Sequence, residues 1–267
     1  MFRPDDLVAD VFAGVGPFSL PAAKKGCAVL ANDLNPESYK YLIMNIKDNK
    51  VSRTTIISTE TRTELFLQVT DRVRASCEDG REFIRLAAMR VATDPLPGYS
   101  GPPLSQSQRC AQSRQQPRGS IPPSPPLPPR RRIAHFVMNL PDSAITFLDA
   151  FRGILSPSSS SSQADIDLTA VYDVMPMVHC HCFTREMERE AAERDILLVR
   201  FLTSFPWVGV LTARTYATWQ RVEEKLGCVL GAENEVRVHL VRSVAPSKEM
   251  YCISFRLPRA TAFGTTS

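Results

Sequence analysis

Short apolar runs alternate with amphipathic segments along most of the chain, the order expected of strands and helices in an α/β fold. The predicted strands comprise residues 8–13, 29–34, 73–77, 133–140, 177–183, 235–244 and 250–257. The predicted helices comprise residues 17–25, 36–49, 80–89 and 142–151, a polar helix from residue 184, and residues 219–226 with Gly227 as C-cap. The last two strands form a hairpin, so the pattern predicts a doubly wound, mostly parallel seven-stranded sheet with an antiparallel edge.

Three segments interrupt this alternation. Residues 94–132 contain eleven prolines together with Ser, Gln, Gly and Arg, and residues 156–163 are rich in serine. Both compositions bury little apolar surface, so we expect disordered connections there. Residues 198–220 instead place an apolar, aromatic segment between two parts of a predicted helix. We therefore interpret all three segments as insertions in one domain that spans residues 1–267.

The composition is that of a soluble globular protein. The chain has 267 residues, 43% of them apolar, which is enough for a sizeable core. Its net charge of +4 is mild and residues 130–132 are the one dense cationic run, so charge neither requires nor excludes a nucleic-acid partner. The most apolar stretch, residues 196–213, is interrupted by Arg200 and Pro206 and is short for a membrane span. We therefore expect no membrane contact.

Seven cysteines are scattered along the chain without a Cys-x-x-Cys pair, which favours free thiols in a reducing compartment. The segment His179-Cys-His-Cys182 has the residue types of a metal site. On a strand, however, its histidines face one side and its cysteines the other, and no second pair with zinc spacing exists. We expect no metal.

The pattern with the clearest chemistry is Asp10-Val-Phe-Ala-Gly-Val-Gly-Pro-Phe-Ser19. An apolar strand leads into a turn with Gly14 and Gly16, whose missing side chains let the backbone approach a ligand. Pro17 then opens a helix at its first turn. The next strand ends at Asp33, a carboxylate placed to accept hydrogen bonds from both ribose hydroxyls. Together these features indicate a nucleotide-type ligand site, although an isolated Gly-x-Gly is also consistent with a simple tight turn.

Two cofactors fit this geometry. A dinucleotide needs a small residue three positions after the second glycine, which Ser19 provides only loosely. Pro17 and Phe18 also crowd the helix end where its pyrophosphate would lie. S-adenosylmethionine has no phosphate and needs a further polar residue at the adenine, which Cys77-Glu-Asp-Gly80 supplies after the third predicted strand. These details favour S-adenosylmethionine, with a nicotinamide-dependent oxidoreductase as the alternative.

Six motifs occur in order along the chain. They are Asp10-Val-Phe-Ala-Gly-Val-Gly-Pro-Phe18, Asn32-Asp-Leu-Asn-Pro-Glu-Ser38, Asp79-Gly-Arg-Glu-Phe-Ile84, Met138-Asn-Leu-Pro141, His179-Cys-His-Cys-Phe-Thr184 and Val244-Ala-Pro-Ser-Lys-Glu-Met-Tyr251. Together they resemble the eukaryotic and archaeal tRNA (guanine-37 N1)-methyltransferase family over nearly the whole chain, apart from the insertions. The resemblance implies a Rossmann-like, class I S-adenosylmethionine-dependent methyltransferase with tRNA as its partner. It also implies a monomer in the cytoplasm, with the mitochondrial matrix and the nucleus as other compartments.

The resemblance implies a cofactor site in the loops that follow the first four strands. Its candidate residues are Phe12, Gly14, Gly16, Asp33, Leu34, Asp79, Gly80 and Asn139. Asp33 and Leu34 would line the ribose. Asp79 and Gly80 would line the adenine, and Asn139 the methionyl and target side.

Asn139 and Pro141 are the candidate catalytic residues. Methyl transfer from a sulfonium is an in-line displacement, so holding donor and acceptor in alignment can contribute roughly 7 to 11 kcal/mol. The side-chain amide of Asn139 offers an NH2 donor and a carbonyl acceptor at fixed angles, and Pro141 stiffens the turn behind it. Asp142 follows where methyltransferases acting on exocyclic amines usually have an aromatic, which favours a ring-nitrogen acceptor. An Asx turn capping helix 142–151 is the structural alternative for Asn139.

Guanine N1 carries a proton at neutral pH, so its methylation needs a base and a cation near O6. The resemblance assigns these roles to a glutamate and an arginine upstream of the first strand, beside an N-terminal tRNA-binding domain. We therefore expect this chain to be an N-terminally truncated family member. Glu37, Arg81 and Glu82 are better explained by solvated helix faces. A methyltransferase-like protein that binds cofactor or RNA without turnover is therefore a further alternative.

Overall fold

A computed structural model describes residues 2–49, 72–99, 128–156, 167–184, 196, 222–246 and 248–264. The polar helix expected from residue 184, the start of the helix expected at 219–226 and most of the three expected insertions lie outside these ranges. No helix within the described ranges is long and apolar enough to cross a bilayer.

The described strands form one seven-stranded sheet in the order β3-β2-β1-β4-β5-β7-β6. They are β1 (Leu7–Asp10), β2 (Ala28–Asn32), β3 (Val73–Ser76), β4 (His135–Met138), β5 (Met177–Thr184), β6 (Arg237–Ala245) and β7 (Lys248–Arg256). Neighbours among β1 to β5 are parallel, whereas β7 is antiparallel to β5 and β6. This confirms the predicted class I α/β architecture with a C-terminal antiparallel hairpin.

Helices cover both faces of the sheet. They are α1 (Ser19–Lys25), α2 (Pro36–Asp48), α3 (Gly80–Thr93), α4 (Leu168–Val171), α5 (Val222–Leu226) and α6 (Arg259–Phe263), with 3-10 helices at Ala144–Phe151 and Ala232–Asn234. Alternate residues of the central strands enter two separate apolar clusters. Val8 packs with Leu42 of α2 on one face, whereas Leu7 packs with Phe83 of α3 on the other. The sheet is therefore doubly wound, as predicted.

The helix expected at 142–151 differs in type. It is a 3-10 helix that begins at Ala144. Its buried residues Ile145, Leu148 and Phe151 recur at every third position, the repeat that places side chains on one line of a 3-10 helix. The predicted helix and its buried face are therefore present, and the helix is of the 3-10 type and begins two residues later.

The two ends of the proline-rich segment meet beside the first strand. Leu96 and Arg130 form an antiparallel bridge with N···O distances of 3.2 and 2.7 Å. The Leu96 side chain is buried in the core. The guanidinium donates hydrogen bonds to the carbonyl oxygens of Pro4, Asp6 and Gly26. This stem therefore attaches both ends of the segment to the sheet.

Candidate functional site

A crevice is expected at the carboxyl ends of β1 and β4, where the strand order changes direction. From β1 the chain enters α1 on one face of the sheet, and from β4 it enters the 3-10 helix on the other. Such a switch point leaves an opening beyond the strand ends, where ligands bind in open α/β sheets. The loops after β1 to β4 border this opening, and they carry every residue that the sequence predicts for the site.

The turn after β1 requires both of its glycines. Gly14 has a φ of +54° and Gly16 a φ of +98°, conformations that L side chains rarely adopt. A Cβ on Gly14 would have no atom within 4 Å, whereas one on Gly16 would lie about 3 Å from Leu20 and Leu42. The space beside Gly14 is therefore open to a ligand, and Gly16 permits close packing against α1 and α2.

Asp33 connects the loop after β2 to this turn. Its Oδ2 accepts a hydrogen bond from the Gly14 N–H at 2.8 Å, and its Oδ1 accepts one from the Asn35 N–H at 2.9 Å. Each carboxylate oxygen has a further lone pair, so both can still accept hydrogen bonds from a diol. Leu34 beside it is 64% exposed. These two residues fit the predicted ribose position.

Asn32 holds three of the loops together. Its buried NH2 group donates hydrogen bonds to the carbonyl oxygens of Val11 and Glu78, at 3.2 and 3.0 Å. Its Oδ1 accepts from the Ser76 hydroxyl and from the Glu78 N–H, at 2.9 and 3.1 Å. The amide thus uses both donors and both lone pairs. The sequence prediction did not assign this role, although a polar residue at the end of an apolar, buried strand was a usable signal.

The loop after β3 is also attached to α3. The guanidinium of Arg90 forms two hydrogen bonds with the Glu78 carboxylate. Hydrogen bonding to Arg90 is the largest influence on the pKa of Glu78 and holds it below its usual value. Glu78 is therefore a structural anion that fixes the position of the following Asp79.

Asp79, Gly80 and Phe12 lie together at the predicted adenine side. Asp79 caps α3, since its Oδ1 accepts a hydrogen bond from the Arg81 N–H at 2.8 Å. A Cβ on Gly80 would lie 2.8 Å from the Phe12 ring, so only glycine allows this contact. The Phe12 ring also packs edge-on against the Phe147 ring, with 4.9 Å between the two ring centroids. The result is an apolar wall beside the Asp79 carboxylate.

Asp10 at the end of β1 is fully buried and was not given a role by the sequence prediction. The Ser19 hydroxyl donates a hydrogen bond to its Oδ2 at 2.7 Å, whereas its Oδ1 has no partner within the described residues. Burial raises the pKa of Asp10 to about 7; the Ser19 hydrogen bond opposes this shift and the nearby charge of Asp33 adds to it. A buried carboxyl with an unsatisfied oxygen favours a donor or cationic group from a ligand.

Asn139 follows β4 and is half-buried. Its side chain forms no hydrogen bond with another described residue, and the 3-10 helix has Ser143 as an N-cap without a side-chain bond. The Asx turn considered as an alternative is therefore absent from this part of the chain. The Pro141 carbonyl accepts a hydrogen bond from the Phe183 N–H at 3.1 Å, which joins this loop to β5.

Of the three other charged candidates, Glu37 and Glu82 are exposed as expected, whereas Arg81 is half-buried and not on a solvated face. Arg81 donates a hydrogen bond to Asp149 at 3.0 Å and lies 4.3 Å from the centre of the Phe147 ring. Glu82 is exposed on α3, and Glu37 is exposed on α2. None of the three contacts the crevice-facing residues Asp33 or Asn139 through a hydrogen bond within the described ranges.

The histidines and cysteines of β5 face opposite sides of the sheet, as the strand pattern predicts. Cys180 and Cys182 are buried in the core cluster beside α3. His179 lies on the other face, where its Nε2 is 3.0 Å from His135 Nδ1. Burial lowers the pKa of His179 to about 3, so its ring is neutral. Among the described residues, no group of three or more His, Cys, Asp or Glu side chains is arranged to hold a metal.

Comparison with known proteins gives a consistent result. Residues 1–95 match the family described as TRM5/TYW2 methyltransferase domain. A Coprinopsis cinerea protein named tRNA (guanine(37)-N(1))-methyltransferase is 50% identical over 272 residues, which cover 99% of this chain and 49% of that protein. A Saccharomyces cerevisiae protein of the same name is 39% identical, over an alignment that covers 96% of this chain and 44% of that protein. The chain thus spans about half the length of the curated relatives it matches.

Among solved structures, M. jannaschii TYW2 in complex with AdoMet is similar to this chain, with a TM-score of 0.44 and 16% sequence identity. The alignment covers 96% of this chain and 70% of the TYW2 chain.

Proposed function

The chain belongs to the TRM5/TYW2 family of methyltransferases, and from that premise we propose that it transfers a methyl group from S-adenosylmethionine to N1 of guanine 37 in tRNA. The observation that carries the proposal is the 50% identity to a protein named for this activity, over 99% of the chain. The open glycine turn and the carboxylates around it support the same function and do not require a dinucleotide.

The residues of the crevice fit the parts of this cofactor. Asp33 would hold the ribose hydroxyls, because both of its oxygens keep a free lone pair. Phe12 and Asp79 would border the adenine. Asp10 would hold the ammonium of the methionyl part, since its unpartnered Oδ1 lies in a buried position. Pairing with a cation would restore the ionised form of this carboxyl.

When bound, S-adenosylmethionine would supply a sulfonium methyl group for transfer to guanine N1, and Asp33, Asp79 and Asp10 would hold it in the crevice. The role of Asn139 is to position the target. Its amide presents a donor and an acceptor next to each other, which matches the acceptor O6 and the N–H donors on the edge of guanine. The Pro141 carbonyl accepts a hydrogen bond from the Phe183 N–H, which holds this loop in place.

The direct test is methyl transfer by the purified chain. It is mixed with labelled S-adenosylmethionine and an unmodified tRNA transcript carrying guanine 37, and the product is digested for 1-methylguanosine. We expect label in the guanine transcript and none in a matched transcript with adenine at that position. Asn139→Ala should lower kcat on the order of 10²-fold through lost positioning. Absence of label with the wild-type chain would contradict the proposal.

Binding without turnover is the second candidate. It is favoured by Glu37 and Glu82, since both carboxylates are exposed on helices away from the crevice. The carboxylates in the crevice are those that would hold the cofactor. Calorimetry with S-adenosylhomocysteine and with NAD distinguishes the cases. Binding of the first with no transfer would support this candidate, whereas binding of NAD alone would contradict both.

The oligomeric state and the cellular location are part of the same proposal. We expect a monomer, which light scattering of the purified chain would test. From the family resemblance we expect the protein in the cytoplasm, with further pools in the mitochondrial matrix and nucleus, and imaging of the tagged protein would test this.

A further inference from the structure

A cation, an anion and an aromatic ring meet where β5 and the β6–β7 hairpin end. The Lys248 Nζ lies 3.2 Å from Asp142 Oδ1 and 3.8 Å from the centre of the Phe183 ring. Lys248 begins β7, Phe183 is near the end of β5, and Asp142 precedes the 3-10 helix. Residues from three separate parts of the chain thus hold one ammonium group.

This ammonium lies beside the loop that carries Asn139. Asp142 is the neighbour of Pro141, and the Phe183 N–H donates a hydrogen bond to the Pro141 carbonyl at 3.1 Å. The Lys248 ammonium is therefore held by the same loop, residues 139–142, that carries the proposed base-positioning Asn139.

Stability does not account for this arrangement. The side chains of Lys248 and Asp142 are 40% and 79% exposed. Ion pairs with this exposure contribute little to folding, because water and salt screen them. An exposed carboxylate at the entrance of a site for RNA would moreover repel the phosphates, unless a cation neutralises it. Lys248 supplies that cation.

We propose that Lys248 binds a backbone phosphate of the substrate RNA next to the target guanine; this rests on the proposed function. An ammonium has three donors, and Asp142 uses only one of them. The contact with Phe183 holds the long side chain in place, so less conformational entropy is lost when a phosphate binds. A compact, strongly hydrated charge suits a phosphate better than a base edge, which is read by planar groups.

The test compares Lys248→Met with Lys40→Met. Lys40 is the matched control, since it is an exposed lysine on α2 that also has a carboxylate partner, at 3.7 Å. Binding of the unmodified guanine-37 tRNA transcript is measured at several salt concentrations. We expect Lys248→Met to bind roughly tenfold more weakly. The slope of log K against log salt should fall by about 0.7, the value for one phosphate of a single strand. Lys40→Met should match the wild type in both.

Asp142→Asn separates a phosphate contact from a merely structural pair. Without its anion, Lys248 would be available to the phosphate, so binding should become tighter by roughly two- to fivefold. If both variants weakened RNA binding equally with unchanged salt slopes, the pair would be structural and the inference would fail.

The failure of this inference is distinguishable from failure of the proposed function. A wild-type chain that methylates the transcript, with Lys248→Met binding it equally well, would overturn the phosphate contact alone. A wild-type chain that binds no tRNA would overturn both. S-adenosylhomocysteine affinity and the unfolding midpoint of Lys248→Met should match the wild type, and a loss of either would indicate a structural role instead.

Discussion

At the scale of single residues, Asp10 combines complete burial with an oxygen that has no partner. Its neighbours in β1 are apolar, and the strand pattern alone therefore indicated only a core position. Asp33 and Asp79 were predicted because each follows a strand, where the chain turns outward. The role of Asn32 depends on contacts with Glu78, 46 residues away, which no local pattern contains. Asp10 and Ser19 belong to one sequence motif, but the pattern does not show that their side chains form a hydrogen bond.

The raised pKa of Asp10 makes stability depend on pH. In the unfolded chain this carboxyl has its ordinary pKa of 3.8, and in the native protein about 7, so the native state retains a proton between these values. Stability should therefore fall as pH rises through this window, by about 3 kcal/mol between pH 5 and pH 8, and not change further above it. Asp10→Asn should lack the fall, as measured by urea unfolding near pH 5 and pH 8. The exposed Asp48→Asn variant should keep the wild-type profile.

Cofactor binding should release a proton if Asp10 pairs with the methionyl ammonium. A cation beside the carboxyl lowers its pKa, so up to one proton leaves near neutral pH. Calorimetry with S-adenosylhomocysteine in buffers of different ionisation enthalpy measures this number. Equal proton release by the wild type and Asp10→Asn would exclude this residue from the contact.

Asp33→Ala should weaken S-adenosylhomocysteine binding by about 1 to 3 kcal/mol, through lost ribose hydrogen bonds and a less restrained Gly14 turn. Glu37→Ala is the control, because this exposed acid on α2 is close in sequence and its carboxylate pairs with Lys40. Calorimetry gives both affinities. An unchanged affinity of Asp33→Ala would remove this carboxylate from the site.

At the scale of elements, the sequence predicted strands better than helix type. β1 and β2 are buried on both faces, so their continuous apolar runs were unambiguous. The sequence did not distinguish a 3-10 helix from an α-helix at Ala144–Phe151, because Ile145, Leu148 and Phe151 lie on one face of either. Helix α3 continues to Thr93 because Val91 and Ala92 extend its buried face.

Asp79 caps α3 and is also a predicted cofactor-binding residue, and two variants distinguish these two roles. Asp79→Ala removes the cap of α3 and should lower the free energy of unfolding by about 1 kcal/mol. Asp79→Asn keeps a capping oxygen, so its stability should stay near that of the wild type. If the carboxylate also binds adenine, both variants should weaken S-adenosylhomocysteine binding. Wild-type affinity in Asp79→Asn would limit this residue to capping.

At the scale of the whole molecule, Arg130 links the proline-rich segment to the start of the sheet. Arg130→Met should lower the free energy of unfolding by roughly 1 to 3 kcal/mol, because the carbonyl oxygens of Pro4, Asp6 and Gly26 lose their donor. Arg131→Met is the control, since that side chain is exposed. Denaturant unfolding compares them, and equal stability of the two variants would contradict a structural role for Arg130.

The pairing of Leu96 with Arg130 gives protein engineers a defined point at which to shorten the chain. These residues exchange both backbone hydrogen bonds, so a two-residue Asn-Gly turn can join them directly. The shortened protein would retain the anchoring guanidinium and the buried leucine while omitting most of the proline-rich stretch. Such a minimal version is a practical starting point for crystallisation and isotope labelling.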